Sequence, residues 1–366
     1  MSAAAEPGAS DAPRAGSART TVAFDALGAE RGADVVVSGV RDAAADGVAV
    51  RVFGVESELG DLAGVAGVEL IDCSQRITNE DDPVGAVRSR PEASIVLAAA
   101  DVAAGRSQAL ASPGATGATM AAALFALRRQ RGVQRPALAV QLPAPGLGRP
   151  VLMLDAGANS DARPSHLLQF GLLGAAFARS VLEVPDPRVA LLSVGAESKK
   201  GSALVVDAHE RLAAAEGITF TGNIEGRDLL SGAADVVVTD GFTGNVTLKT
   251  IEGTARTVGD AVRDAARSGA RAAVGGLLLR PALGSLRSTL DPDSTGGAIL
   301  LGLRGVAVVG HGSSGPAGVA NQIRLAASAS EQRVSDRIAE LLERAGAGRA
   351  ELREPTSAEV DAPGGS

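Results

Sequence analysis

A chain of 366 residues with 45% hydrophobic content can bury a large core, in one big domain or two modest ones. Its one cysteine, Cys73, excludes an intrachain disulfide framework and a cysteine-rich metal site, and a net charge of -7 gives no reason to expect nucleic acid as a partner. With Trp and Tyr at 0 and Phe at 7, the core must be aliphatic.

Residues 1–19 are rich in Ala, Ser, Gly and Pro and lack an apolar signal core, so they are expected to form a disordered tail on a cytoplasmic protein. No run of about 18 apolar residues suits a membrane span. Strand candidates stand at 21–24, 48–55 and 68–71, the first followed by a polar glycine loop after Asp25. Residues 81–90, holding Pro83, Arg88 and Arg90, read as a surface connection, and 92–104 as a helix. A short strand at 109–111 runs into Ser112-Pro113-Gly114-Ala115-Thr116-Gly117, and 118–130 continues as a helix of good helix formers. Arg128, Arg129, Arg131 and Arg135 cluster where it ends, which suits cations at a helix C-terminus.

A buried strand at 151–154 leads into Asp155-Ala156-Gly157-Ala158-Asn159. Pro164 sits where a first-turn proline would, ahead of a helix apolar around most of its girth, either central to the core or part of a subunit interface. The strand at 189–194 ends in a loop that carries Lys199 and Lys200. Residues 218–226 repeat the pattern with Asn223, and 306–309 leads into Gly310-His311-Gly312, with Pro316 opening another helix. Residues 346–366 read as a loose tail.

The organising stretch is 235–253. Val236, Val237 and Val238 suit a strand buried on both faces of a parallel sheet. The loop Asp240 to Asn245 follows, and then Leu248, Ile251, Ala255, Val258, Val262 and Ala265 recur at helical spacing, as if one face packed back on the sheet. A helix N-terminus at such a loop is a natural seat for phosphate; a plain strand-to-helix turn with no ligand fits the spacing equally well. The repeated β-loop-α rhythm implies an α/β fold, a largely parallel sheet with helices on both faces. Ligands bind beyond the carboxyl ends of such strands, so the glycine loops are expected on one edge, with Lys200, Asn223, Asn245 and His311 converging.

Eight separated motifs agree in order and spacing with a known family: SPGATGATMAAALFAL, VLMLDAGAN, PSHLLQFGLLG, GAESKKG, TGNIEGRDL, ADVVVTDGFTGNVTLKTIEG, GGAILLGL and VAVVGHGSS. Over about residues 21–342 the chain resembles PlsX, the phosphate acyltransferases of bacterial phospholipid synthesis. The resemblance implies a three-layer α/β/α fold related to isocitrate dehydrogenases and phosphotransacetylases, and a homodimer. It implies conversion of acyl-ACP (acyl carrier protein) and inorganic phosphate to acyl phosphate and free ACP. The chain departs from the family at Ala115, where an asparagine is usual, at Leu27-Gly28-Ala29-Glu30, usually Met-Gly-Gly-Asp, and at Ala196, usually glutamate.

Phosphate is already a nucleophile and a thioester already activated, so the protein must orient the reactants and stabilise charge growing on the carbonyl oxygen. That needs no cofactor and no metal. Lys200 is expected to hold phosphate with Asn245 and the N–H groups around Gly244, while Asn159, Asn223, Thr116 and Gly117 complete the lining. Asp155 and Asp240 read as loop organisers. His311 could protonate the departing thiolate or cap the next helix. Lys249, about one helical turn past Asn245, could reach the same anion or stay solvated.

Residues 265–290 interleave Arg267, Arg271, Arg280 and Arg287 with a Gly-Gly-Leu-Leu-Leu tip. Such a hairpin suits a membrane surface, ACP docking, or a dimer interface. Two other functions share these features: a phosphotransacetylase-like enzyme using acyl-CoA, and a catalytically weakened scaffold that binds ACP or membrane.

Overall fold

A computed structural model describes residues 20–144, 146–290 and 292–348, without the side chains of 282, 283, 285–290 and 292. The first expected tail, 1–19, and most of the second lie outside the described residues. The packed domain nevertheless runs past 345, because Ala347 is buried and its carbonyl accepts a hydrogen bond from Gln169 Nε2 at 2.7 Å.

In chain order the elements are β1 (Thr21–Asp25), α1 (Ala33–Ala45), β2 (Ala49–Gly54), α2 (Glu56–Leu59), β3 (Val68–Asp72), α3 (Pro83–Ser89), α4 (Ser94–Ala103) and β4 (Ala109–Ser112). Then come α5 (Thr116–Leu127), β5 (Ala137–Leu142), β6 (Val151–Leu154), α6 (Pro164–Ser180), β7 (Arg188–Leu192), α7 (Ala203–Ala213), β8 (Thr219–Ile224) and β9 (Val236–Val238). The chain closes with α8 (Gly241–Arg267), α9 (Ala270–Leu290), β10 (Ala298–Leu301), β11 (Val306–Val309), α10 (Pro316–Glu331) and α11 (Val334–Arg344). The stretch 81–90 is therefore helical rather than a plain connection: Asp82 caps α3 by accepting the Gly85 N–H, and Pro83 supplies a first-turn φ without wasting a donor.

The strands form one sheet in the order β3-β2-β1-β4-β11-β10-β5-β6-β9-β7-β8. Most neighbours pair in parallel, as the β-loop-α rhythm requires. The exceptions lie in the middle, where β10 is antiparallel to β11 and to β5, and β5 is antiparallel to β6. Following those pairings outward reverses the strand direction: β6, β9, β7 and β8 run opposite to β1, β2, β4 and β11. The expectation that every glycine loop lies on one edge is corrected by this reversal. Loops after β4 and β11 leave one edge; loops after β6, β7 and β9 leave the other.

Alternation along the strands explains the layers, since successive side chains point to opposite faces. One face carries a continuous core under α1, α6, α7, α10 and α11, built from residues such as Val22, Phe24, Leu152, Leu154, Val236, Phe170 and Ile323. Almost all of α6 is buried within this single chain, so it belongs to the core. The opposite face carries two separate cores. One lies under α3, α4 and α5, with Ala23, Leu110, Ala118 and Leu300; the other surrounds the start of α8, with Leu138, Met153, Val237 and Ala298.

The helix after β9 does not pack along its length on the sheet. Leu248 and Ile251 are partly buried against the second of those cores, whereas Val258 is 56% and Val262 41% exposed. From there α8 pairs with α9, and the hairpin turns at Ser268–Gly269. The Gly-Gly-Leu-Leu-Leu run expected at the tip lies within α9, with Leu277, Leu278 and Leu279 exposed.

Candidate active site

Beyond the C-terminal ends of β6 and β9 two turns are locked together. The fully buried Asp155 accepts five hydrogen bonds: Oδ1 from the N–H groups of Leu138, Gly157 and Ala158 at 2.9, 3.2 and 3.0 Å, and Oδ2 from Asn159 N–H and Nδ2 at 2.7 and 2.8 Å. Asn159 Nδ2 also donates to the Pro136 carbonyl at 2.7 Å, and its own carbonyl accepts the Gly241 N–H at 2.9 Å. Asp240 caps α8, Oδ1 accepting Thr243 N–H at 2.9 Å and Oδ2 accepting Thr243 Oγ1 at 2.7 Å. Both carboxylates are thus spent on backbone, amide and hydroxyl donors. The Gly244 N–H donates to the Asp240 carbonyl at 2.9 Å, so with those of Gly241 and Thr243 also used, the N–H groups around Gly244 expected to hold phosphate are committed within the turn.

Gly244 sits where α8 crosses this turn so closely that a Cβ would lie 1.9 Å from the Asp155 carbonyl oxygen. That contact delivers the next residue, Asn245, to the turn: its Nδ2 donates weakly to the Ala156 carbonyl at 3.3 Å, and the side chain is otherwise exposed. Asn245 is therefore available to a ligand, whereas the Asn159 amide donors are already used.

Strand β7 lies beside β9, with Leu191 opposite Val238, so its loop emerges next to Asp240. Lys200 is exposed on that loop and its stem folds over Gly195, whose added Cβ would meet Lys200 Cγ at 3.0 Å. The loop is pinned from below by Asn223, now seen to lie within β8 rather than in a loop. Asn223 Nδ2 donates to the Glu197 carbonyl at 2.9 Å, and its Oδ1 lies 2.9 Å from His209 Nδ1. The amide is consumed, so Asn223 positions the Lys200 loop instead of facing ligand. His209, on α7 and edge-on to Phe220, was missed by the sequence reading, because its role depends on a strand partner distant in sequence. Lys249 is exposed and paired with Glu252 at 2.9 Å, one helical turn on.

Thr116, Gly117 and His311 are not part of this group; they belong to the opposite edge. There Asp25, at the end of β1, is buried and accepts Ser94 Oγ and Ser112 Oγ at 2.5 and 2.7 Å. Burial raises its pKa above the usual carboxylate range, against the lowering effect of those two hydroxyls and of the Gly28 and Leu27 N–H groups. Raised on folding, this group contributes stability below its unfolded pKa that is lost as pH rises through the folded value. Gly28 and Gly114 meet here, a Cβ on Gly28 falling 2.5 Å from Gly114 N. His311 is exposed, its Nδ1 2.8 Å from Ser313 Oγ, and lies just outside α10.

The two edges are connected along the seam between the two cores on the divided face. The outward stripe of α5 runs Thr116, Met120, Leu124, Arg128 at helical spacing. Met120 packs against both cores, as does Ala158 from the Asp155 turn. The seam floor is β5 and β10, with Leu138, Ala298 and Leu300 buried and Val140 partly so. A six-residue strand sets its length at about 20 Å. Polar groups from the two loop sets thus stand at the ends of one apolar track.

The cavity of about 150 Å³ lined by Leu147, Arg149, Arg188 and Asp235 lies elsewhere, at the N-terminal ends of β6, β7 and β9. Asp235 bridges Arg149 at 2.5 Å and Arg188 at 3.0 Å there, a structural ion-pair group. Burial alone would raise the Asp235 pKa, but hydrogen bonds from Arg188 and the charges of both arginines hold it below the usual range.

Residues 20–337 match the family model described as "Fatty acid synthesis protein". The chain is 44% identical to a phosphate acyltransferase of Lacticaseibacillus casei over 80% of this chain and 87% of the relative. It is 40% identical to one of Gloeobacter violaceus over 88% and 96%. The chain belongs to the PlsX phosphate acyltransferase family. Two solved phosphotransacetylases, one from Staphylococcus aureus (EutD) and one from Streptococcus pyogenes, align with TM-scores of 0.56 and 0.57 at 17% and 16% identity. They cover 85% and 86% of this chain, and 94% of each is matched, which establishes the shared fold. Within PlsX, the departure at Ala115 gains a structural meaning: Ala115 is the N-cap of α5 and offers no side-chain acceptor, where an asparagine would cap the helix.

Proposed function

We propose that this PlsX chain transfers an acyl group from the thioester of acyl-ACP to inorganic phosphate. A phosphate oxygen attacks the thioester carbonyl carbon, the C–S bond breaks, and ACP leaves as a thiolate that takes up a proton. The observation that carries the reading is that Lys200, on the loop after β7, and Asn245, in the first turns of α8 after β9, are both exposed beyond the C-terminal ends of two adjacent strands. An exposed cation and an exposed amide together favour a phosphate and the oxyanion that forms next to it. The apolar floor of Leu138, Val140, Ala298 and Leu300 offers the acyl chain a place out of water. Thr116 and His311, at the far end of the seam, are proposed to contact the acyl chain rather than the phosphate, and Lys249 to add positive charge near Asn245.

Lys200→Ala and Asn245→Ala are each expected to lower kcat/KM for phosphate by about 30- to 1000-fold, the loss of roughly 2–4 kcal/mol of transition-state stabilisation. Both side chains are exposed, so urea unfolding midpoints should stay near wild type. Rates within threefold of wild type for both would sink the site. Release of free thiol from acyl-ACP but not from acetyl-CoA separates this function from a phosphotransacetylase-like use of acyl-CoA.

The enzyme is further proposed to be a homodimer in the cytoplasm that rests peripherally on the membrane through the α8–α9 hairpin. No described helix is long and apolar enough to cross a membrane. Val274, Leu277, Leu278 and Leu279 are nevertheless 58–76% exposed on α9, beside Arg271 and Arg280. Exposed leucines flanked by arginines suit the surface of an anionic bilayer. Changing Leu277, Leu278 and Leu279 together to Asp is expected to abolish flotation with anionic vesicles. Unaltered flotation would remove the hairpin from that role.

A further inference from the structure

The molecule carries a cationic edge that neither the phosphate site nor the hairpin uses. Helix α5 ends at Leu127, so of the four arginines that follow only Arg128 caps it, its N–H donating to the Leu124 carbonyl. The rest stand beyond the helix. Arg129 Nη1 donates to the Gln134 carbonyl at 2.5 Å, and Arg304 donates to the carbonyls of Arg128 and Arg129, at 3.1 Å from its N–H and 3.3 Å from Nε. These bonds hold the turn after α5 against the start of β11.

Arg128, Arg131, Arg135 and Arg304 are all exposed, and none makes an ion pair among the described residues. In a chain of net charge -7, so many unneutralised arginines on one edge are not a balanced surface. Arg128 also holds φ at 61°, a backbone region that glycine or asparagine would occupy with less strain. Leu124 at 36% and Phe125 at 42% exposure lie one turn earlier, with Arg88 stacked on the Phe125 ring at 5.1 Å. Exposed apolar side chains ringed by arginines have the make-up of a protein-docking surface.

This edge also adjoins the candidate site. Arg135 precedes Pro136, whose carbonyl holds Asn159 Nδ2, and Arg128 ends the same α5 stripe that borders the seam. We infer that the arginine edge at the end of α5 docks a small acidic carrier protein, so that its thioester arm enters the seam from this side. The inference rests on the proposed transfer from a carrier-bound thioester. It assigns the docking to this edge and not to the arginines of the hairpin.

The test compares wild type with the pair Arg131→Glu and Arg135→Glu, and with the milder pair Arg131→Gln and Arg135→Gln should the first misfold. Acyl phosphate formation is measured with acyl-ACP and with the same acyl group on pantetheine. For the Glu pair at 50 mM salt, KM for acyl-ACP should rise tenfold or more with kcat little altered, while KM for acyl-pantetheine stays put. Wild-type KM for acyl-ACP should also climb with added salt and the variant's should not. A KM for acyl-ACP within twofold of wild type overturns the inference, as does an equal rise for both substrates. So does a variant that dissociates in sedimentation with unchanged KM, since the edge then belongs to a second copy of the chain. If wild type makes acyl phosphate from no thioester, the proposed transfer itself fails. Fluorescence anisotropy of labelled holo-ACP still tests the docking in that case: binding lost in the Glu pair supports it, and equal binding overturns it.

Discussion

Gly244→Ala is expected to abolish acyl phosphate formation and to lower the unfolding free energy by about 3 kcal/mol or more. The new methyl would stand 1.9 Å from the Asp155 carbonyl oxygen, a backbone atom fixed by the five bonds to the Asp155 carboxylate. Overpacking against a mobile side chain costs about 1–3 kcal/mol; against a braced backbone the cost is higher. Relief requires α8 to shift away from the turn, which takes Asn245 out of reach of the Lys200 loop. Gly253 and Gly259, further along the same helix, have nothing within 4 Å of an added Cβ. Alanine there should stabilise the helix by about 1 kcal/mol or less. Urea unfolding of the three variants is the check, and a Gly244→Ala protein with a wild-type midpoint and rate would refute the close crossing.

Asp155→Ala is expected to cost about 4 kcal/mol or more. The carboxylate is the acceptor for the N–H groups of Leu138, Gly157, Ala158 and Asn159; each loses its partner, and those of Leu138 and Asn159 lose it in a buried position. A stranded buried donor costs about 1–3 kcal/mol, although the turn can relax and recover part of the sum. Asp155→Asn should be milder in volume but still damaging, since its Nδ2 would face donors. Activity should vanish in both, because the same turn supports Asn159, Gly241 and thereby the start of α8. A loss under 1 kcal/mol for Asp155→Ala would mean that the turn does not depend on this carboxylate.

Much of the local structure was legible in the sequence. The valine run at 236–238, the proline at 164 and the glycine loops each carry their conformational reason within a few residues. The direction reversal was not legible, because it depends on β5 and β10 pairing antiparallel with partners distant in sequence, and periodicity reports faces rather than partners. The same limit explains α8. Val258 and Val262 keep helical spacing with Leu248 and Ile251, but spacing alone cannot say whether sheet, membrane or solvent meets that stripe. Among the candidate site residues, Asn159 and Asn223 could not be told from Asn245 by type. Their hydrogen bonds decide it: the first two brace loops, while the third faces outward. Ala115 reads only as a departure from the family in sequence, and as a helix start without a side-chain cap in the fold.

The measurement that bears most directly on the account is mass spectrometry of the products formed from the full chain, acyl-ACP and ¹⁸O-labelled inorganic phosphate. Acyl phosphate carrying the label should appear in step with free ACP thiol, and should fall by at least 30-fold in Lys200→Ala and in Asn245→Ala. Labelled acyl phosphate produced at wild-type rate by both variants would contradict the site, and thiol release without any acyl phosphate would contradict the transfer.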